Sequence, residues 1–442
     1  MTASASQQVA GHPWIRRFYS ATLMALSPLI WHRVWREQLP GRSRLERLGY
    51  IPAAPDCLSG SERSLWLHCS SVGEVVAAKP LIDTLRKAYP QRPLVITTMT
   101  ATGAQQALRL ANNSNGMIRH HFVPLDFPCA ARRFVARLSP SLAIFFETEL
   151  WPNLLASCSS YGVPVAVVNG RLSERAFVGY RKVRRLMGDA LSHVDWLGAK
   201  SEADAARFYC LGMAAEKSQI TGSLKFDVSS DRKLFEVSKH LLSCVSGRPV
   251  WVAGSTHPGE DEQVLAAHRL LCERLPDALL ILVPRHPQRF DAVAQLCHEQ
   301  GATLARRSLG ELPDEATSVY LGDTMGELQA LYCAGQLAFV GGSLVPVGGH
   351  NLLEPAVFGI PVVSGTQLAN FSDVAEVMRA ADALVEVEDE VTLADVLKRL
   401  LSDPVARRQL GEAAQRVVEA NRGALERTMA GLDVLLPSFT RR

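Results

Sequence analysis

Short apolar runs, each closed by glycine and polar residues, recur along the chain. In the first half they occupy residues 64–67, 94–98, 142–146, 163–168 and 196–199. In the second half they occupy 249–253, 279–283, 319–321 and 337–340, and another begins at Pro361. Runs this short, without strict alternation, predict strands buried on both faces, as in a parallel sheet. The stretches between them carry apolar residues at helical spacing, such as Ala77, Leu81 and Leu85. Repeated strand–helix units of this kind define an α/β fold. At 442 residues the chain exceeds what one core holds, so two domains are expected.

The run Ser223-Leu224-Lys225-Phe226-Asp227 closes the first domain, and the polar stretch after it reads as a linker. The expected division is an N-terminal tail and membrane segment at 1–36, a first domain at 37–227, a linker at 228–247 and a second domain at 248–420. A C-terminal helix at 421–442 is expected to cross back to the first domain.

The ends of the strands hold the candidate chemistry. In an open α/β sheet these positions share one edge, where ligands bind. The richest stretch is 336–366. Its strand at 337–340 runs into Gly341-Gly342-Ser343, then a loop with Gly348-Gly349-His350, then a short helix expected near Asn351. Asn351 and Glu354 have the spacing of a capping box. Glycines at a strand end let a ligand approach the backbone, and amides at a helix start favour an anion. The alternative is an ordinary capped βαβ connection.

Glu74 lies where a loop turns into a helix, either as a general base or as a first-turn acid favoured by the helix dipole. Glu147 and Glu149 alternate about a strand end, so only one need point into a site. Arg285 can pair a phosphate with two hydrogen bonds; the adjacent His286 is a donor or a structural histidine. Thr324 and Glu327 read as a capping box opening a helix through Met325-Gly326-Glu327, and Gly326 would admit a ligand close to its first amides. The acidic run Glu260-Asp261-Glu262 opens a helix, where acids are common.

Composition narrows the picture. Hydrophobic residues at 47% and charged residues at 21% are those of a globular enzyme, and a net charge of +3 does not suggest a nucleic-acid binder. Nine cysteines without a C-x-x-C pair point to reduced thiols, not to a disulfide frame or a zinc site. Residues 18–31 are largely apolar, with aromatic ends and arginines on both sides. The run is shorter than the ~18–20 residues a spanning helix needs, and Pro28 interrupts it. This fits an in-plane or short membrane anchor better than a signal peptide; the alternative is a buried helix. Arg171, Arg175, Arg181, Lys182, Arg184 and Arg185 form either a solvated face or a site for an anionic lipid surface.

Eight blocks, in one order along the chain, carry a resemblance. They are HCSSVGE at 68–74, FETELWPN at 146–153, NGRLSERAF at 169–177, GSLKFD at 222–227, AGSTHPGEDE at 253–262, VPRHPQRF at 283–290, GDTMGEL at 322–328 and GGSLVPVGGHNLLEPA at 341–356. Together they resemble the Kdo (3-deoxy-D-manno-octulosonic acid) transferases, the lipid A-modifying glycosyltransferases of Gram-negative bacteria. The resemblance implies a GT-B fold, with two Rossmann-like domains and an active site in the cleft between them. It implies inverting transfer of Kdo from CMP-Kdo to a tetraacylated lipid A precursor (lipid IVA) at the cytoplasmic side of the inner membrane, for lipopolysaccharide biosynthesis.

By the same resemblance Glu74 is the general base, and Glu147 and Lys225 stabilise the transition state. Arg285, His286, Met325, Gly326, Glu327, Asn351, Leu352, Leu353 and Glu354 hold CMP. No cofactor is implied beyond the donor substrate. The sequence lacks the Asp-x-Asp pair of metal-dependent transferases, so a metal-independent site is expected. A GT-B-like sugar-nucleotide epimerase is the alternative enzyme; it would not need the basic anchor at 14–36. A non-enzymatic lipid-binding protein would explain that anchor but not the repeated polar strand ends.

Overall fold

A computed structural model describes residues 13–36, 43–52, 63–228, 238, 241, 243–245 and 247–436. The expected N-terminal tail, the boundary at 36/37 and most of the expected linker lie outside them. The chain forms two compact units, one of residues 1–227 with 422–442 and one of residues 228–421.

The first unit is built on a parallel sheet of β1 (Leu65–His68), β2 (Leu94–Thr98), β3 (Ile118–Phe122), β4 (Leu142–Phe146), β5 (Val165–Gly170), β6 (Trp196–Ala199) and β7 (Ser218–Ile220). Their order is β3-β2-β1-β4-β5-β6-β7. The second unit repeats the plan with β8 (Val250–Thr256), β9 (Leu279–Pro284), β10 (Leu304–Arg306), β11 (Val319–Leu321), β12 (Leu337–Val340), β13 (Val362–Gly365) and β14 (Val385–Val387). Their order is β10-β11-β9-β8-β12-β13-β14. In the first sheet the chain runs outward to β3, returns to the centre and runs outward to β7. In the second it goes out to β10, comes back to place β11 between β10 and β9, and then crosses the centre to run outward from β12 to β14. The points of reversal fall between β1 and β4 and between β8 and β12, and such points open a crevice at the strand ends.

The central strands are buried along their whole length, which is why they read as unbroken apolar runs. The strands absent from the sequence reading are β3, β7, β10 and β14, and each lies at an edge of its sheet. β3 alternates buried and half-buried residues, and the other three have only three residues each. Around the sheets, buried apolar residues pack on both faces. Trp66, Phe134 and Phe145 are centred on one face of the first sheet, and Leu67, Leu81 and Ile144 on the other.

Several helix boundaries differ from expectation. Met325-Gly326-Glu327 is not the first turn of a helix: Gly326 has a left-handed φ of +86°, and the helix starts at Leu328. The helix expected near Asn351 covers only Leu353–Ala356. The long C-terminal pattern is two helices, Pro404–Asn421 and Ala424–Leu435, separated at Gly423 with φ +88°. Asp227 accepts the amides of Gly423 and Leu425 at 2.8 and 2.6 Å, fixing the start of the last helix on the first unit. That helix lies on β6, with Gly431 against the Trp196 ring. Within the stretch expected as a linker, Ser238, Leu241 and Val245 are buried and group with the second unit.

The N-terminal apolar stretch forms α1 (Pro13–Ala25) and α2 (Ser27–Arg36). The break at Leu26 precedes Pro28, which fits only the first turn of a helix. Arg16 ties α1 to the first unit through Asp189 at 3.1 Å and His193 at 2.8 Å. Trp14, Phe18, Met24 and Leu29 remain more than half exposed. No helix among the described residues is long and apolar enough to cross a membrane.

Candidate functional site

The reversal between β1 and β4 brings the carboxylates of the first unit together. The loop after β1 carries Ser70, Ser71 and Glu74; the loop after β4 carries Glu147 and Glu149. Ser71 caps the helix Val72–Ala77, so both readings of Glu74 meet in one residue. It is a first-turn acid, and its side chain turns back to the strand end. There it accepts from the Ser70 amide at 2.8 Å, the Ser70 hydroxyl at 2.5 Å and the Ser71 hydroxyl at 3.0 Å. Burial pushes its pKa above the ordinary glutamate range; the Ser70 hydroxyl opposes this and the charge of Glu149 adds to it.

Glu147 has φ +62°, a left-handed conformation that costs a non-glycine residue on the order of 1 kcal/mol or more. Asn169, at the end of β5, also has a left-handed φ, of +52°. Its side-chain oxygen accepts the Leu224 amide at 3.2 Å, which fixes the turn Leu224–Phe226 that presents Lys225. Burial raises the pKa of Glu147 and the Glu74 charge raises it further, while Arg171, Lys200 and Lys225 oppose them. Glu74, Glu147 and Lys225 are thus gathered at one edge.

Glu149 is spent differently. It accepts from the Trp151 indole at 2.7 Å and lies 3.5 Å from the buried His68 ring. Burial would raise its pKa, but the His68 contact, with Trp151 and Ser70, outweighs that and holds it below the usual value. Sequence reasoning did not single out His68, Ser70 or Lys200, and it assigned Arg171 to a basic surface. All four stand in the same polar strand ends as the chosen residues, and that position was the available signal. The remaining basic residues, Arg175, Arg181, Lys182, Arg184 and Arg185, are exposed on the helices Glu174–Lys182 and Arg184–Ser192.

In the second unit the reversal lies between β8 and β12. Gly342, Ser343 and Leu344 present their amides to the buried carboxylate of Glu260, at 2.7, 2.9 and 2.9 Å. Glu260 also accepts the His257 amide at 3.1 Å. The amides of the Gly341-Gly342-Ser343 turn therefore do not face a ligand; a side chain of the protein occupies them. Gly342 has φ +69°, and a Cβ there would meet the His350 ring at 2.9 Å.

What this edge leaves exposed is basic. Arg285 and His286 follow β9. His286 stands edge-on to His257, whose Nε2 is 2.8 Å from Nε2 of His350. Burial pushes His350 down to about 3, aided by His257, Arg285 and His286. The side chain of Asn351 accepts the Leu353 amide at 3.2 Å and donates to Glu354 at 3.4 Å. The Glu354 carboxylate is thus held by the side-chain amide of Asn351, whereas in a capping box it would accept the backbone amide. Burial raises the pKa of Glu354, opposed by Asn351 and the Arg285 charge.

Leu352 and Leu353 are fully buried and expose no surface of their own. Met325 is exposed. Glu327 accepts two hydrogen bonds from Arg307, at 3.1 and 2.9 Å, and one from Thr324. These contacts replace the expected helical turn there. Among the described residues no group of histidines, cysteines and carboxylates is arranged to hold a metal ion.

Comparison with known proteins agrees with the motifs. Residues 42–228 match the family model for 3-deoxy-D-manno-octulosonic-acid transferase (kdotransferase). A 3-deoxy-D-manno-octulosonic acid transferase of Haemophilus influenzae is 38% identical over 96% of this chain and 99% of its own length. The C-terminal CMP-Kdo binding domain of WaaA from Acinetobacter baumannii is 34% identical; the match covers 42% of this chain and 99% of that domain, with a TM-score of 0.42. A UDP-GlcNAc 2-epimerase from Neisseria meningitidis covers 84% of this chain and 100% of its own, with a TM-score of 0.53 and 13% identity. That last likeness is one of fold, two parallel-sheet α/β units of the GT-B kind. With more than a third of its residues shared along almost its whole length, the chain belongs to the 3-deoxy-D-manno-octulosonic acid transferase family.

Proposed function

We propose that the chain transfers Kdo from CMP-Kdo to a lipid A precursor, inverting the anomeric centre, with Glu74 as general base. The observation that carries the assignment is the setting of Glu74. It is a carboxylate at the reversal point of the first sheet, with its pKa raised by burial and its oxygens held by two serines. A sugar hydroxyl is a poor nucleophile, and a base of raised pKa is suited to take its proton. The first unit binds the acceptor.

Glu147 and Lys225 stabilise the transition state. Transfer from an activated sugar develops oxocarbenium character, which a carboxylate favours. Kdo also carries a carboxylate of its own. Lys225, with Arg171 and Lys200, supplies the matching positive charge around Glu147.

The second unit holds the donor. CMP leaves as a phosphate monoester, and Arg285 and His286 neutralise it. Glu354, steadied by Asn351, accepts from ribose hydroxyls. Met325, Gly326 and Glu327 complete the CMP contacts, and the buried Leu352 and Leu353 carry the turn between Asn351 and Glu354. The reaction needs no metal ion or separate cofactor. α1 and α2 hold the enzyme on the cytoplasmic face of the inner membrane. Their exposed Phe18 and Leu29, and the exposed arginines of the neighbouring helices, support that reading.

The test is turnover of folded Glu74→Gln with saturating CMP-Kdo and lipid acceptor, in the presence of a chelator. The variant is expected to bind CMP normally and lose about 10²–10⁴-fold in kcat. Activity within a few-fold of the parent would remove Glu74 as the base.

A further inference from the structure

A cavity of about 470 Å³ lies in the first unit, where α1 and α2 meet the strand ends. Leu23 of α1 with Ile30 and Val34 of α2 forms one wall; Leu125, Phe127 and Trp151 form the other. Ser70 and Ser71 also line it, and both donate to Glu74. Its volume falls within the ~300–1,000 Å³ typical of small-ligand sites.

The charged side chains around the cavity are already engaged. Arg47 donates to the carbonyls of Val123 and Met99 and lies over the Phe122 ring. Asp126 accepts the amides of Asn153 and Leu154. Glu149 accepts from Trp151. An occupant therefore meets apolar walls, with hydroxyls at the serine end. A sugar or nucleotide would give up its water there without gaining equivalent hydrogen bonds. A hydrocarbon chain loses nothing of that kind and gains burial.

We propose that this cavity receives one fatty-acyl chain of the lipid acceptor, and that α1 and α2 are a specificity element for that chain. The proposal rests on the reading of the acceptor as a lipid. Continuity carries it: the same two serines border the apolar cavity and hold the carboxylate. A molecule with its tail in the cavity has its polar end directed to Glu74. The role differs from membrane attachment, which uses the outward residues of these helices, Phe18, Met24 and Leu29. The cavity uses their inward ones.

The test measures KM for acceptors that share a head group and differ only in acyl-chain length, presented below their aggregation concentration. For the unaltered full-length protein, each methylene that enters the cavity lowers KM by about fourfold, until added length changes nothing. Leu23→Trp and Ile30→Trp fill the cavity from different helices. Each is expected to raise KM for the long-chain acceptor by at least about tenfold, and to change the short-chain value far less.

A KM of the unaltered protein that ignores chain length overturns the proposal. So do folded variants that affect long- and short-chain acceptors equally. Should one variant not fold, the other and the chain-length series still decide. If the unaltered protein transfers Kdo to no lipid at all, the functional reading itself fails. If it transfers Kdo without regard to chain length, only the acyl-chain proposal does.

Discussion

Glu260→Gln tests how the second unit is organised. Oε1 of Glu260 accepts from Ser343 and Leu344, and Oε2 from His257 and Gly342. A glutamine keeps one carbonyl oxygen, enough for one of these pairs. Its amide group then faces the other pair, donor against donor, in a site with no exposed surface. Each buried amide left unpaired costs about 1–3 kcal/mol, so the substitution costs about 2–6 kcal/mol. That is a large share of the ~5–15 kcal/mol that holds a typical domain.

For a unit of this size the loss lowers the melting temperature by roughly 4–24 °C. Because two units need not unfold together, the sharper assay is hydrogen exchange read by mass spectrometry on peptides covering 250–262 and 337–350. Both peptides should lose protection together, since one carboxylate joins them, while peptides of the first unit keep theirs. Unchanged protection in Glu260→Gln, with a melting point within a degree or so of the parent, would refute the account of Glu260 as the clasp of this edge.

Other outcomes follow from the same geometry. Because burial raises Glu74, the acid limb of kcat/KM is expected above the ordinary glutamate value of 4.5: activity falls as pH drops through it and Glu74 keeps its proton. Glu149→Gln removes a negative charge that adds to that rise, so the limb should move to lower pH, as a pH–rate profile will read. Arg285→Ala should weaken CMP binding by about 1.5–3 kcal/mol in calorimetry, the worth of a charge-assisted hydrogen bond. Gly431→Ala places a Cβ 2.1 Å from the Trp196 ring. It should destabilise the packing of the last helix by about 1–3 kcal/mol, detectable as faster proteolysis within 422–436.

Central strands were legible in the sequence because burial on both faces leaves a continuous apolar run, as in Leu142–Phe146. Edge strands were not. Ile118–Phe122 reads IRHHF, and Ser218–Ile220 reads SQI, because an edge needs less burial to hold its place. The polar strand ends were visible as a class, but their partners were not. Nothing local joins Glu260 to Gly342, or Asn169 to Leu224; sheet order does that. The helix start expected at Thr324 to Glu327 failed for a related reason. Thr324 and Glu327 have capping spacing, but Arg307, from a distant loop, takes the Glu327 carboxylate, and Gly326 turns left-handed. The short helix expected near Asn351 starts two residues later, at Leu353, and Asn351 still accepts the Leu353 amide as an N-cap side chain does.

The two units solve the same geometric problem in opposite ways. At each reversal point a carboxylate sits against a strand end. Glu260 is fully buried and accepts four backbone amides, donors whose direction the fold fixes. Four donors that cannot turn away fix the carboxylate in place, so Glu260 holds the loops together. Glu74 accepts one amide and two serine hydroxyls. A hydroxyl can rotate from donor to acceptor, so Ser70 and Ser71 can follow Glu74 as it takes up a proton and as it gives one back. Burial supplies the raised pKa, and rotatable donors supply a low cost for changing state. A clasp needs neither property, and a general base needs both.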